Sequence, residues 1–303
     1  MRHALSAPAL AIAFAAPPAF AQDAPPAEAV NPSGAEAETA PATEQQAAAA
    51  QEGRARLSIG AGAAWLPDYE GSDDKRFTPL PAANGTVAGM SFTVLGNRAS
   101  LDVIPDVAGP GWNFQLGPVA VLNLNRTNRD AIEDPRVAAL GEIDTAVEVG
   151  GYIGIGKTGL ITSDYDTLSV SLSYRHDVTK IHKSGIFTPS VSYTTPLSTK
   201  ALVGLFASAE IVEDEYARTY FGVTPTGSVA SGLPVFTPKG GQKNIAFGGM
   251  FTYALTGDLT KGLALVTGFN YSKLVGDFAD SPLVSIAGSR HQWSVGAGVA
   301  LTF

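Results

Sequence analysis

Few side chains in this sequence could do covalent or acid–base chemistry, and they are scattered. His176 stands beside Asp177, and His291 opens the last polar-apolar alternation. A histidine next to a carboxylate is the smallest unit from which a general acid–base pair can be built. No G-x-S-x-G element supplies a matching nucleophile. No residue is therefore assigned a catalytic role, and the chain is not expected to be an enzyme. Acidic groups recur at Asp73-Asp74, Glu133-Asp134 and Glu213-Asp214-Glu215. They have the oxygen chemistry for a divalent cation but lack the loop spacing with its central glycine and terminal glutamate, so solvated loop acids are expected. With no cysteine in 303 residues, thiolate catalysis, disulfides and thiolate metal sites drop out together. No metal-binding or cofactor-binding residue is assigned.

A third set of charges is more pointed. Asp102, Asp144, Glu148, Arg175 and Glu210 all fall on the small or polar side of alternating segments. Charges on the inner face of a narrow barrel either pair across the lumen or line a small aqueous path. Pairing is the expectation; were they to line a path, the excess of acids would favour cations. The formal charge of −8 comes with no basic cluster, which argues against a nucleic-acid partner.

The elements that must position these residues read as strands. In Arg290–Phe303, residues His291, Trp293, Val295, Ala297, Val299, Leu301 and Phe303 alternate with Gln292, Ser294, Gly296, Gly298, Ala300 and Thr302. A period of two marks a strand with one apolar and one small or polar face. Trp293 and Phe303 lie about 33 Å apart at ~3.3 Å per residue. Tilted by about 40°, that spacing becomes about 25 Å, the height of the apolar band between the aromatic girdles of an outer-membrane barrel. The same alternation recurs from Leu57 to Trp65, Trp112 to Leu122, Ile143 to Ile155, Leu168 to Tyr174, Phe187 to Tyr193, Ile245 to Leu255 and Leu263 to Tyr271. Charged residues make up only 16 % of the chain, too few to cover a soluble surface of this size comfortably. A soluble barrel would also have to bury its large aromatics in an interior too small for them.

Placing Phe303 at the periplasmic end orients every connection. Outer loops fall at 66–78, 96–98, 125–142, 176–184, 212–243 and 274–289. Inner turns fall at 84–89, 105–110, 156–159, 198–200 and 257–260. Long and short connections alternate, as extracellular loops and periplasmic turns do. The expected fold is all-β: an antiparallel transmembrane β-barrel of twelve strands spanning 55–303, or ten if the stretch 79–104, broken by Pro79 and Pro81, does not pair. Ahead of it, residues 1–21 read as a signal peptide ending in Ala19-Phe20-Ala21. Residues 22–54, rich in Ala, Pro and Glu, read as a disordered linker.

Three loop segments carry a resemblance. Pro67-Asp68-Tyr69-Glu70-Gly71-Ser72, then Tyr220-Phe221-Gly222-Val223 followed by Ser231-Gly232-Leu233, then Asp280-Ser281-Pro282-Leu283-Val284, resemble in order three motifs of the MipA/OmpV family of outer-membrane proteins. The acidic linker is not part of that pattern, and Leu301 stands where the family often has Tyr. By themselves the loop segments suggest turns that fold over the barrel mouth rather than a ligand site. The resemblance implies a barrel in the outer membrane of a Gram-negative bacterium, acting as a scaffold. One member is described as bridging a murein transglycosylase to a murein synthase, and others are linked to adhesion and envelope stress. No catalytic residue carries over. The expected function is accordingly a monomeric scaffold for peptidoglycan-remodelling machinery. Its expected partners are outer-membrane lipid, murein enzymes in the periplasm, and the barrel assembly machinery through the C-terminal strand ending at Phe303. A narrow diffusion channel, and further off an adhesin or a rim hydrolase, stand as alternatives.

Overall fold

In the computed structural model, which describes residues 56–303 apart from 88, 107 and 108, twelve antiparallel strands close into one barrel. The signal peptide 1–21 and the linker 22–54 lie outside the described residues. The strands are β1 (Arg56–Pro67), β2 (Lys75–Val87), β3 (Met90–Leu95), β4 (Arg98–Asp102), β5 (Gly111–Asn123) and β6 (Ala146–Thr158). They continue as β7 (Thr167–Asp177), β8 (Gly185–Pro196), β9 (Ala201–Val212), β10 (Gly241–Ala254), β11 (Gly262–Leu274) and β12 (His291–Thr302). Each pairs with its sequence neighbour, and β1 meets β12 in a register that sets Ser58 against Thr302 and Trp65 against Val295.

The two-residue period sorts the side chains. Along β12, Gln292 and Ser294 point inward and are buried, while Trp293, Val295, Val299 and Leu301 point outward and are exposed. That pattern repeats around the wall and produces an apolar band that only lipid would cover. Aromatics mark its two edges. Near the extracellular edge, cross-strand registers bring together Trp65 with Phe77, Tyr174 with Phe187, and Tyr271 with both Phe247 and Trp293. The Tyr271 ring centroid lies 4.7 Å from that of Trp293 and 5.1 Å from that of Phe247. Trp112, Tyr193, Tyr253 and Phe303 mark the periplasmic edge. Lys75 lies 4.7 Å over Trp65 at one edge and Lys157 5.1 Å over Trp112 at the other, each spreading its aliphatic stem along a ring while the ammonium stays at the water interface. A folded barrel of this kind keeps its shape in dodecyl sulfate until boiled. The protein is expected to migrate differently on a gel before and after heating, and identical migration would count against the barrel.

The stretch 79–104 does pair, so the count is twelve and not ten. β2 runs its full length against β1, and β3 with β4 make a short hairpin turned by Gly96-Asn97, Gly96 taking φ +57° at the first central position. The Gly96 N–H donates to Pro81 O at 2.8 Å, so Pro81, and Pro79 two residues earlier, direct their missing donors toward the hairpin side. Both prolines thus sit at the tip of the hairpin or beyond it, where β2 has no full partner and a missing N–H costs no ladder bond.

The periplasmic connections are short. The 159–166 turn is organised by Asp166, whose carboxylate accepts from the N–H groups of Leu160 (2.7 Å), Ile161 (2.8 Å) and Thr162 (2.5 Å) and from the Tyr193 hydroxyl (2.8 Å). These donors outweigh the desolvation that acts against them and hold the carboxyl down at about 2. Because the folded value is depressed, its contribution is complete above the ordinary aspartate value near 4 and is lost only as pH falls through about 2. Asp166→Ala frees three N–H groups and is expected to cost about 1–3 kcal/mol locally. Faster amide exchange confined to residues 160–162 would show it, and unchanged protection there would contradict it.

Candidate functional site

Within the extracellular half of the lumen five inward charges, Glu70, Glu148, Arg175, Glu210 and Lys243, form one connected belt. Arg175 on β7 donates from Nε to Glu148 Oε2 on β6 and from Nη2 to Glu210 Oε1 on β9, both at 2.6 Å. Lys243 Nζ on β10 lies 2.7 Å from Glu210 Oε2 and 2.6 Å from Glu70 Oε1 in the first outer loop. Asn123 Nδ2 donates to Glu148 Oε1 at 3.0 Å and Asn244 Nδ2 to Glu210 Oε2 at 3.3 Å. His182 closes one end: its Nδ1 accepts from Ser184 N–H, which leaves Nε2–H to donate to Glu148 Oε1 at 3.3 Å. Glu148, Arg175 and Lys243 are each 3 % exposed or less, so every one of these charges depends on its partners, and His182 is as deeply buried.

Lys243 reaches the lumen through a bulge. Strict alternation along β10 would send it outward, but the register shifts between Gln242 and Asn244 opposite β9, and both Lys243 and Asn244 turn inward. An extra residue in one strand re-aims a side chain in this way.

Above the belt, the outer loops fold into a cap with its own core. They carry a 3-10 turn at Arg129–Ala131 and five short helices: α1 (Pro135–Ala138), α2 (Asp214–Phe221), α3 (Pro225–Ser231), α4 (Gly276–Asp280) and α5 (Pro282–Ser285). Pro at the first turn and side-chain caps from Asp134, Thr224 and Ser281 explain why α1, α3 and α5 start where they do. Tyr69, Leu233, Leu283 and Ala287 pack with Val137 and Val223; Tyr216, Tyr220, Phe221, Phe278 and Val284 pack with Ile186 and Leu274. The three segments singled out in the sequence therefore meet. The Tyr69 hydroxyl donates to Leu283 O (3.0 Å) and Ala287 O (2.5 Å), and Ser281 Oγ donates to Phe221 O at 2.7 Å. Burial pushes the phenols of Tyr69 and Tyr220 well above their ordinary range, and it lowers Arg126, beneath them, to about 10. Cap and belt are joined: Tyr216 Oη accepts from Lys243 Nζ at 3.2 Å and donates to Glu70 Oε2 at 3.0 Å.

The predicted residues distribute as follows. Asp102, Glu148, Arg175 and Glu210 face the lumen, and the last three pair as expected. Asp144 does not: it lies exposed in the outer loop before β6, because the strand begins at Ala146. Bases also face inward that the sequence reading did not count: Arg76, Arg98 and Lys243 stand there with Arg175, alongside Glu70, Asp102, Glu148, Asp177, Glu210 and, at the periplasmic end, Asp258, and the belt acids Glu70, Glu148 and Glu210 are each paired with a base. His176 and Asp177 are neighbours on opposite faces of β7. His176 is exposed on the outer face. Asp177 binds the N–H groups of Thr179, His182 and Lys183, which shapes the loop that presents His182. His291 is exposed and bonds through Nδ1 to the Tyr271 hydroxyl at 2.6 Å, in the outer aromatic edge. Among the described residues, neither hydrogen-bonds to a carboxylate. The acidic groups are used within the loops: Asp134 caps α1 and pairs with Arg136, Glu213 accepts from Gly185 N–H, and Asp214 and Glu215 pair with Arg218. Asp73 and Asp74 are exposed, and among the described residues no group of three or more His, Asp or Glu side chains has metal-holding geometry.

Sequence reasoning missed Lys243, Glu70 and His182. Lys243 is hidden by the bulge. Glu70 sits inside a recognised loop motif, and only the fold of that loop turns it down into the barrel. His182 follows Asp177 by five residues, and that aspartate with a short loop of polar residues was the available signal.

An outward apolar band edged by aromatics, a closed ring of twelve strands and a polar, capped lumen define an integral β-barrel of the Gram-negative outer membrane. Residues 59–303 match the family described as MltA-interacting protein MipA, and the chain belongs to that family. No curated protein sequence matches the chain. Similar solved structures include the NanC porin, with 7 % identity over 81 % of this chain and 98 % of that one, at a TM-score of 0.41. The outer membrane channel DcaP of Acinetobacter baumannii gives 8 % identity over 82 % of this chain and 96 % of that one, TM-score 0.37. OprD from Pseudomonas aeruginosa gives 10 % identity, covering 82 % and 65 %, TM-score 0.35.

Proposed function

We propose that this barrel is a scaffold that holds a murein transglycosylase of the MltA kind at the inner face of the outer membrane. The observation that carries the reading is the pairing of cap and belt over the extracellular half of the lumen. Ten buried residues in one cluster and seven in the other lie across the mouth, above charges that are paired with one another. Residues committed to a folded core and to mutual ion pairs are poorly arranged to pass solute, so the surface left for a partner is the periplasmic rim. The family description supports the choice of partner. On that rim Ile161 and Leu197 are each 62 % exposed, on turns held firmly by hydrogen bonds. A photo-crosslinking residue at either position is expected to capture a lytic transglycosylase in cells. The same residue placed at Val229, 90 % exposed on the cap, is expected not to. Capture of no cell-wall enzyme from any periplasmic position would sink the scaffold.

The barrel as a narrow diffusion channel is the second reading, favoured by its ring of strands alone. It predicts ion conductance from the purified protein.

A further inference from the structure

The lumen is not uniform around its circumference, and the difference points to a ligand. Across β7 and β8 the inner wall is a hydroxyl ladder: Ser169, Ser171 and Ser173 face Thr188, Ser190 and Ser192, with Ser171 and Ser190 bonded at 2.7 Å. The opposite inner wall, from β9 through β12 and β1 to β3, is mostly apolar in its periplasmic half, with Thr252 and Thr93 as isolated hydroxyls. Leu80, Leu95, Leu202, Met250 and Val266 face inward there, spaced by glycine and alanine. They line a half-open cavity of about 230 Å³ in the periplasmic part of the lumen, below the charged belt. An apolar cavity of about 150 Å³ is already large enough to take up benzene. This one is larger and is bounded by flexible Met and Leu side chains that adapt to a guest.

Its periplasmic end has a different chemistry. Ser58, Asn84 and Thr302 line it there, with Ser58 Oγ and Thr302 Oγ1 2.7 Å apart, so hydroxyls and an amide meet whatever enters last. The charged residue in the lining is Asp258, whose Oδ1 is engaged by Thr260 N–H (2.8 Å) and Thr260 Oγ1 (2.6 Å). Among the described residues no cation lines the cavity. An anionic head would meet the Asp258 carboxylate and, among the described residues, no cation to offset its desolvation, whereas an uncharged hydroxyl or ester end would find donors and acceptors at no such cost.

We infer that this chamber binds a single aliphatic chain of medium length, inserted from the periplasmic side with its uncharged polar end at Ser58, Asn84 and Thr302. Neither the charged belt nor Ile161 and Leu197, the rim positions on which the scaffold reading is tested, line the chamber, so the site stands or falls independently of that reading.

The test uses the two methionines of the described barrel. Met250 lines the chamber, while Met90 begins β3 and does not line it. Methyl-labelled full-length protein in lipid nanodiscs is titrated with decanol and, separately, with decanoate, and nanodiscs with no addition show whether bilayer lipid already fills the site. Decanol is expected to shift the Met250 methyl resonance saturably and leave Met90 in place, with decanoate binding at least tenfold more weakly. Ala82→Phe with Ala300→Phe, both lining positions, is expected to abolish the shift; Ala264→Phe alone serves if the pair does not fold. Ala209→Leu, outward on β9 and away from the chamber, is expected to leave it unchanged. A Met250 resonance that never moves, or one that moves equally in the filled variants, would overturn the proposal. Decanoate binding as tightly as decanol would overturn the assigned polar end.

Discussion

Lys243→Met is expected to lower the stability of the folded barrel more than any other single substitution in the lumen. The ammonium lies within 2.7 Å of both Glu210 and Glu70 and is 3 % exposed. Methionine of similar length fills the space but leaves Glu70 with no cation and Glu210 with Arg175 alone. Breaking a buried pair from one side costs about 3–5 kcal/mol, because the surviving charge keeps its desolvation penalty. Two carboxylates share the loss here, so the upper end applies. Tyr216, which bridges Lys243 and Glu70, should loosen with them and carry α2 along. Unfolding in guanidinium, followed by tryptophan fluorescence, should show a midpoint well below that of the unaltered protein. Adding Glu70→Gln to Lys243→Met removes the stranded charge while Glu210 stays with Arg175, and should recover most of the loss. A single variant with an unshifted midpoint would mean that the belt is solvated and its charges independent.

Gly288→Ala is expected to open the cap while leaving the barrel closed. A Cβ at residue 288 would sit 2.0 Å from Gly71 O and 2.8 Å from Leu283 O, both backbone atoms that cannot turn away. The last outer loop would have to lift from the first. That movement breaks the Ser289 N–H bond to Gly71 O and the Tyr69 hydroxyl bonds to Leu283 and Ala287. It also withdraws Gln292, which donates to Ser72 O at 3.0 Å. Strain of this kind with loss of a buried network costs about 2–4 kcal/mol. The heat-dependent gel shift should survive, since the strand ladder is untouched. Protease should cut within 68–74 and 275–290 more than tenfold faster than in the unaltered chain. Equal protease resistance would show that the loops are not locked together as the contacts describe.

The wall of the barrel was largely legible in the sequence because lipid on one side and a polar lumen on the other impose a strict period of two. Trp293 and Phe303 mark the two edges of the band on the strand that first suggested it, and the same alternation orients the other long strands. Legibility fell where that rule is locally broken. Pro79 and Pro81 looked like interruptions, yet they lie where β2 outruns a short hairpin and has no partner to disappoint. The bulge at Lys243 reverses the face of one residue, and no propensity announces it. Asp144 was placed inward by extending the β6 alternation past the true start of the strand. Ile143, counted in the same run, instead packs against the cap core. The cap is a tertiary object: Tyr69, Tyr220, Phe221 and Leu283 come from three loops far apart in sequence. Their motifs could be spotted one at a time, but the contact among them follows only from barrel closure, which brings β12 beside β1. The full pairing of the belt was missed for the same reason, since Glu70 descends from a loop and Lys243 from a bulge.

A closed extracellular half is what separates a scaffold from a channel, and ion conductance reads it directly. Purified unaltered protein inserted into a planar lipid bilayer should give no resolved conductance steps, while Gly288→Ala in the same bilayer should give them. Steady conductance steps from the unaltered protein, matching those of the opened variant, would contradict the closed lumen and make the barrel a channel.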